Sequence, residues 1–204
     1  MSRDLELIVT EDGSHSLYIP SMRETYHSTH GAIQESQHVF IKHGLENMAE
    51  LTADSLSVYE VGLGTGLNAL LSAAWAAKNN RDVRMTSIEA YPVGEEIWKN
   101  LNYPVQLDQP EASTWWDAIH SSPWNEEIQI HEHFYLTKLH QKLEDYSTMS
   151  AFADVIYFDA FAPGKQSGMW TPEMLKKTLT CLKPGGCLVT YCAQGQFKRD
   201  LAAL

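Results

Sequence analysis

Short apolar runs alternate along this chain with longer stretches of helical spacing. Leu5–Thr10 and His15–Ile19 flank Glu-Asp-Gly-Ser and predict a small N-terminal β-hairpin. Residues 20–44 are rich in Tyr, His, Gln and Ser and follow no single period, and helical spacing then runs over Val39–Leu51. Leu56–Val61 reads as a strand that leads through three glycines into a helix over Leu67–Lys78. A second strand, Asp82–Ile88, ends at Glu89 and is followed by Tyr-Pro-Val and a helix through Trp98. Residues 102–127, with Trp115, Trp116 and Trp124, read as an insertion or a pair of short helices. Ile128–Phe134, Asp154–Phe158 and Cys187–Tyr191 supply the third, fourth and fifth strands, the fourth being nearly all apolar as a central parallel strand should be. Thr171-Pro172-Glu173 combines an N-cap, a proline at the first helical position and an early acid, so a helix starts there and stops before Lys183-Pro-Gly-Gly186. Strands alternating with helices predict an α/β fold: a Rossmann-like, doubly wound, mostly parallel sheet. No repeat or linker divides residues 1–204, so one domain is expected, with residues 1–44 forming its hairpin and substrate-side segment.

Composition narrows the classes. Of 204 residues, 44% are apolar and 20% charged, which suits a globular protein with a sizeable core. No apolar run approaches a membrane span, and Met-Ser-Arg-Asp-Leu-Glu-Leu lacks the regions of a signal peptide, so a cytoplasmic protein is expected. Cys181, Cys187 and Cys192 form no C-x-x-C pair and read as buried free thiols. The net charge of −11 argues against coating nucleic acid with the whole surface. The charge is uneven, however: residues 160–204 hold 6 Lys/Arg against 2 Asp/Glu. A local basic face from Lys165, Lys176, Lys177, Lys183, Lys198 and Arg199 competes with scattered, solvated lysines.

The chemistry gathers at strand ends. Glu60-Val-Gly62-Leu-Gly64-Thr-Gly66-Leu-Asn68 spaces its glycines as Gly-x-Gly-x-Gly, unlike the dinucleotide fingerprint. Alone it fits any tight strand-to-helix turn, but Glu60 two residues before Gly62 would repel a pyrophosphate and welcome a cation. S-adenosylmethionine has a sulfonium, an ammonium and no phosphate. Glu89 ends the second strand, where a carboxylate can accept both hydroxyls of a ribose. Asp159 ends the most apolar strand, where folding seldom needs an acid. The candidate cofactor contacts are therefore Glu60, Gly62, Gly64, Gly66, Asn68 and Glu89, and the candidate catalytic residue is Asp159. The pairs His27-x-x-His30 and His131-x-His133 lack companion ligands, so no metal is expected.

These strand-end residues with the Lys-Pro-Gly-Gly turn resemble a class I S-adenosylmethionine-dependent methyltransferase. Two segments narrow the likeness. Glu24–Ile41 resembles the opening segment of the MnmC-type tRNA methyltransferase family. Asp159-Ala-Phe-Ala-Pro-Gly-Lys-Gln-Ser-Gly-Met-Trp170 resembles its Asp-x-Phe-x-Pro-x-Lys-Asn-Pro-x-x-Trp motif, with Gln166 and Ser167 in place of Asn-Pro. The similarity spans roughly residues 24–200. It implies methylation of the exocyclic amine of 5-aminomethyl-(2-thio)uridine at the wobble position, in the anticodon loop of tRNA. It also implies the stand-alone form without the FAD oxidoreductase domain, and hence a separate enzyme that supplies the aminomethyl group. Tyr26, His27 and Lys165 are candidates to line the uridine or phosphate path, and Phe161 and Trp170 to stack on a splayed base. No acid is evident after the third strand in His133–Leu139, so no adenine contact is assigned. Class I methyltransferases usually add an antiparallel pair after the fifth strand, and only residues 193–204 remain here, so either the chain is truncated or the edge is finished by something else. The alternatives are a methyltransferase of a small-molecule amine, an inactive methyltransferase-like binding protein, and an aminopropyl transferase. The last would want a paired-acid motif that Asp159-Ala-Phe-Ala lacks.

Overall fold

The computed structural model describes residues 4–52, 55–147, 151–193 and 195–202, except the side chains of Gln196, Lys198 and Ala202. Two sheets are present. The N-terminal one has three antiparallel strands, β1 (Glu6–Val9), β2 (His15–Ile19) and β3 (Glu24–Thr25), the last a short addition to the expected hairpin. The main sheet has the order β6 (Glu127–His131), β7 (Phe134–His140), β5 (Val83–Glu89), β4 (Leu56–Val61), β8 (Ala153–Phe158) and β9 (Leu182–Val189). Its central strands β4 (Leu56–Val61), β5 (Val83–Glu89) and β8 (Ala153–Phe158) lie where the apolar runs predict them. They pair in parallel, with Val58 opposite both Met85 and Val155. Alternate residues of β4 serve opposite layers: Val58 packs with Leu70, Met85 and Tyr157, while Tyr59 and Val61 pack with Ile156, Phe158 and Leu175. The doubly wound α/β expectation holds, with the carboxyl ends of β4, β5 and β8 side by side.

Three expectations need correction. The third strand is not Ile128–Phe134. A turn at Glu132-His133 splits that run into β6 (Glu127–His131), antiparallel at the sheet edge, and β7 (Phe134–His140), the true third parallel strand beside β5. The pattern hid β7 because Lys138 lies on its core face beside Phe134 and Leu136, at 1% exposure. The Lys138 ammonium donates to the His120 carbonyl at 2.8 Å and sits 4.9 Å from the Trp124 ring centroid. Second, the helix expected from Val39 already begins at Ala32. It runs as α1 (Ala32–Ser36), widens into π-helical turns over Gln37–Glu46 and closes as α2 (Asn47–Leu51). Wider turns put the buried Phe40, Ile41 and Leu45 out of a 3.6-residue phase. They also lay Gly44 on the sheet, where a Cβ would meet Val189 Cγ2 at 3.0 Å and Tyr157 Cε1 at 3.1 Å. Third, Lys183-Pro-Gly-Gly186 lies inside edge strand β9 (Leu182–Val189) as an irregularity, Leu182 pairing with Ala153 and Cys187 with Val155. Proline is tolerated at such an edge.

The remaining helices are α3 (Leu67–Asn79), α4 (Glu95–Trp98), α5 (Tyr103–Gln106), α6 (Ala112–Ser121), α7 (Pro172–Leu179) and α8 (Gly195–Ala202). Residues 102–127 thus contain the expected pair of short helices, and Thr171 caps α7 by accepting from the Met174 N–H. All three cysteines are free. Among the described residues, no helix is long and apolar enough to cross a membrane.

Candidate active site

A cavity of about 530 Å³ opens over the carboxyl ends of β4, β5 and β8. Its floor is stitched by backbone bonds: the Gly62 N–H donates to the Ile88 carbonyl at 2.9 Å, and the Asp159 N–H to the Val61 carbonyl at 3.0 Å. Gly62 has φ +95°, and a Cβ there would lie 2.6 Å from the Asp159 carbonyl oxygen. Gly66 starts α3 in the left-handed region, at φ 85°. Glu89 braces the turn, one carboxylate oxygen accepting from the Gly64 N–H at 3.0 Å and the other from the Tyr91 N–H at 2.8 Å.

Of the candidate residues, Tyr26, His27, Gly62, Gly64, Asn68, Glu89, Asp159 and Phe161 line this cavity together. Tyr26 and Phe161 meet edge-on at 5.1 Å. The His27 ring reaches the Thr65 hydroxyl at 2.9 Å, so the N-terminal segment rests on the glycine turn. Burial pushes the His27 pKa down to about 4, which keeps the ring neutral at physiological pH.

Four candidates sit elsewhere. Glu60 is fully buried beneath the cavity instead of on its wall, accepting from the Ser87 hydroxyl at 2.5 Å and the Asn68 amide at 3.0 Å. Gly66 shapes the start of α3 without facing the cavity. Lys165 gives its ammonium to the Met22 carbonyl at 2.7 Å, away from the cavity wall. Trp170 is buried against Phe158 and Phe197, and its indole N–H donates to the Phe161 carbonyl at 2.7 Å. It holds the Asp159 loop from behind and offers no face to a base. The expected basic face is likewise locally engaged: Lys183 pairs with Asp154 at 3.0 Å and Lys177 donates to the Glu144 carbonyl. The Lys198 side chain lies outside the described residues. Of the paired histidines, His30 meets Glu11, His131 the Ala73 carbonyl and His133 Asp82.

Other wall residues went unread in the sequence. Gln141, Lys142, Leu143 and Glu144 line the cavity just past β7, so misplacing the third strand concealed them. Tyr191 lines it too, its hydroxyl donating to the Ala160 carbonyl at 2.7 Å. The sequence pattern places Tyr191 in the fifth strand, which ends instead at Val189.

The electrostatics favour a cationic occupant. Asp159, Glu89, Glu144 and Glu173 line the cavity, with Lys142 as a basic neighbour. Burial, with Glu35 and Glu89 adding to it, pushes the Asp159 pKa up to about 7 against the opposing Asn68 hydrogen bond. Burial raises Glu60 to about 8, and Asp159 and Glu89 push the same way. Both folded pKa values exceed the unfolded ones, so the stability these acids contribute is lost as pH rises through about 7 to 8. Neutral His27 and His120, lowered by burial to about 4 and about 3, act oppositely, losing stability as pH falls from 6.5 toward those values. The two sets oppose one another below pH 6.5, and the acids act above it. Thermal unfolding midpoints should therefore decline between pH 6.5 and about 8, above which Lys138, lowered by burial to about 8, acts in the opposite direction, and substituting both acids by their amides should flatten that decline.

The groups present fit S-adenosylmethionine. Gly62 and Gly64 line the cavity with backbone alone, a carboxylate stands at the end of β5, and Asn68 Oδ1 is buried without a hydrogen-bond partner among the described residues. Fold and site together define a class I S-adenosylmethionine-dependent methyltransferase, and residues 113–204 match the family model described as an S-adenosyl-L-methionine-dependent methyltransferase. The chain is 30% identical over 200 residues to the tRNA 5-methylaminomethyl-2-thiouridine biosynthesis bifunctional protein MnmC of Pseudomonas putida (strain GB-1), covering 87% of this chain and 29% of that one. It is 28% identical over 203 residues to the protein of the same name from Cupriavidus necator, covering 90% and 29%. The crystal structure of MNMC2 from Aquifex aeolicus superposes with a TM-score of 0.76 at 24% identity, over 99% of this chain and 64% of that one. These comparisons support an MnmC-type methyltransferase domain. It spans less than a third of the length of these curated relatives.

Proposed function

We propose that this domain methylates the primary amine of 5-aminomethyl-(2-thio)uridine at the tRNA wobble position. The observation that carries this reading is Asp159: a carboxyl on the cavity wall, raised to about 7, next to an aromatic pair. The names of the relatives, which speak of 5-methylaminomethyl-2-thiouridine, support the same acceptor. Gly62, Gly64, Asn68 and Glu89 would hold the cofactor, and S-adenosylmethionine supplies a methyl group on a sulfonium, ready for in-line displacement by an amine. The protein's work is to align the acceptor and remove its proton. A primary alkylamine is mostly protonated at neutral pH, so Asp159 orients the ammonium and accepts a proton from its nitrogen, freeing the lone pair. A carboxylate also favours the ammonium form, but an acid at about 7 narrows the gap in proton affinity between the two groups. Tyr26 and Phe161 offer an apolar wall to a base turned out of the unpaired anticodon loop.

We read residues 1–204 as one methyltransferase unit whose first 44 residues face the acceptor, working in the cytoplasm. The free aminomethyl group has to be made by another activity. Incubation with methyl-labelled S-adenosylmethionine and tRNA bearing 5-aminomethyluridine should place label in the wobble nucleoside. The acidic cavity also suits a small-molecule amine. Transfer to such an amine with none to that tRNA would reject the tRNA reading.

A further inference from the structure

Glu60 is a buried carboxyl whose position alone does not explain it. It is 0% exposed, and no cation pairs with it among the described residues. The Ser87 hydroxyl lies 2.5 Å from its Oε2, and the Asn68 amide nitrogen 3.0 Å from its Oε1. The same Asn68 nitrogen lies 2.8 Å from Asp159 Oδ2. An amide has two hydrogens, and both are given to carboxyl oxygens here. Turning the amide over would place its oxygen against the same two atoms, which is acceptable only if both acids carry protons. The orientation of Asn68 is therefore tied to how many protons the two acids hold. Folding does not require an acid at position 60, since glutamine would accept from Asn68 and bond Ser87 without burying an ionisable group.

We propose that Glu60 is a positioning residue for proton transfer: acting through the Asn68 amide, it fixes Asp159 Oδ2 and sets how readily Asp159 accepts the acceptor's proton. This rests on the amine-acceptor reading above. The groups facing the pair are Glu89 and Ser87 from β5, the Tyr157 hydroxyl from β8, Glu35 from α1, Asn68 from α3 and Tyr191 beyond β9. All are acids, phenols or neutral, so near neutrality Glu60 and Asp159 retain one proton between them. That proton fits on Glu60 Oε2, donated to Ser87, while Oε1 still accepts from Asn68. The single negative charge then sits on Asp159, facing the acceptor. The ammonium transfers one proton to Asp159, the charges on the two groups cancel, and the free amine keeps its lone pair.

The test follows carboxyl carbons by NMR across pH in protein labelled with carbon-13 at Asp and Glu, with cofactor and without acceptor, alongside kcat profiles. Wild type should show two linked steps. Glu60→Gln should leave one, the Asp159 midpoint staying with the lower wild-type step because glutamine copies the protonated, neutral Glu60, while the upper step and the further rise of kcat that follows it are lost. Cofactor Kd should stay within about twofold, since Glu60 is not on the cavity wall. Ser87→Ala, which removes a bond to the charged form of Glu60, should move the upper step upward and decides the matter if Glu60→Gln does not fold. An upper step that survives in Glu60→Gln, a kcat profile above the lower step that is unchanged by the substitution, or a defect confined to cofactor Kd, would overturn the proposal. Absence of transfer to the aminomethyl tRNA by wild type would instead reject the acceptor, and the titration would still report on Glu60.

Discussion

Asp159→Asn should lower kcat about 10²- to 10⁴-fold, the usual span of a general base, while cofactor Kd changes only a few-fold. The exchange keeps the size of the side chain and an oxygen to accept from Asn68, which now donates to Asp159 at 2.8 Å. What it removes is a group able to take a proton. The wild-type rate should fall as pH drops through about 7, because Asp159 is then protonated and can no longer accept from the ammonium. In Asp159→Asn that limb should vanish, leaving a low rate without the step. Steady-state kinetics with the aminomethyl tRNA, paired with calorimetric binding of S-adenosylmethionine, separates the two effects. A collapse of cofactor affinity equal to the fall in kcat would show that Asp159 belongs to the cofactor side.

Gly62→Ala should weaken cofactor binding at least tenfold by a wholly different route. An alanine Cβ would stand 2.6 Å from the Asp159 carbonyl oxygen, a backbone atom with little freedom to retreat. The residue must also hold φ +95°, unfavourable by about 1–2 kcal/mol for a residue with a Cβ. Relief requires the ends of β4 and β8 to separate, disturbing the Asp159 N–H bond to the Val61 carbonyl. The expected result is a lower unfolding midpoint and at least tenfold weaker cofactor binding, roughly 1.4 kcal/mol. Gly164→Ala serves as the control, because a Cβ there has nothing within 4 Å and the residue does not line the cavity.

The sequence was most legible where side-chain chemistry and element type coincide. The central strands β4, β5 and β8 are continuous apolar runs, and each is followed by a glycine turn or a carboxylate, so both the sheet and its working edge could be read. Legibility failed where one residue served two demands. Lys138 occupies a core position of β7 by resting its ammonium on a carbonyl and an aromatic ring, which no hydropathy pattern anticipates. The wall residues after β7 were lost with it. Trp170 and Lys165 belong to the right motif, but their polar groups are spent on the backbone of nearby loops. Glu60 stands in the glycine motif, yet its buried place and its link to Asp159 through Asn68 follow only from the fold.

The three-stranded N-terminal sheet takes no part in the main sheet, yet it delivers Tyr26 and His27 to the cavity and rests the latter on Thr65. The same cavity is therefore walled in part by residues that follow the last strand of a sheet sharing no strand with the main one. The smallest autonomous catalyst built from this fold would have to begin at β1, because a version trimmed back to the nucleotide-binding core would keep its scaffold and lose its ceiling.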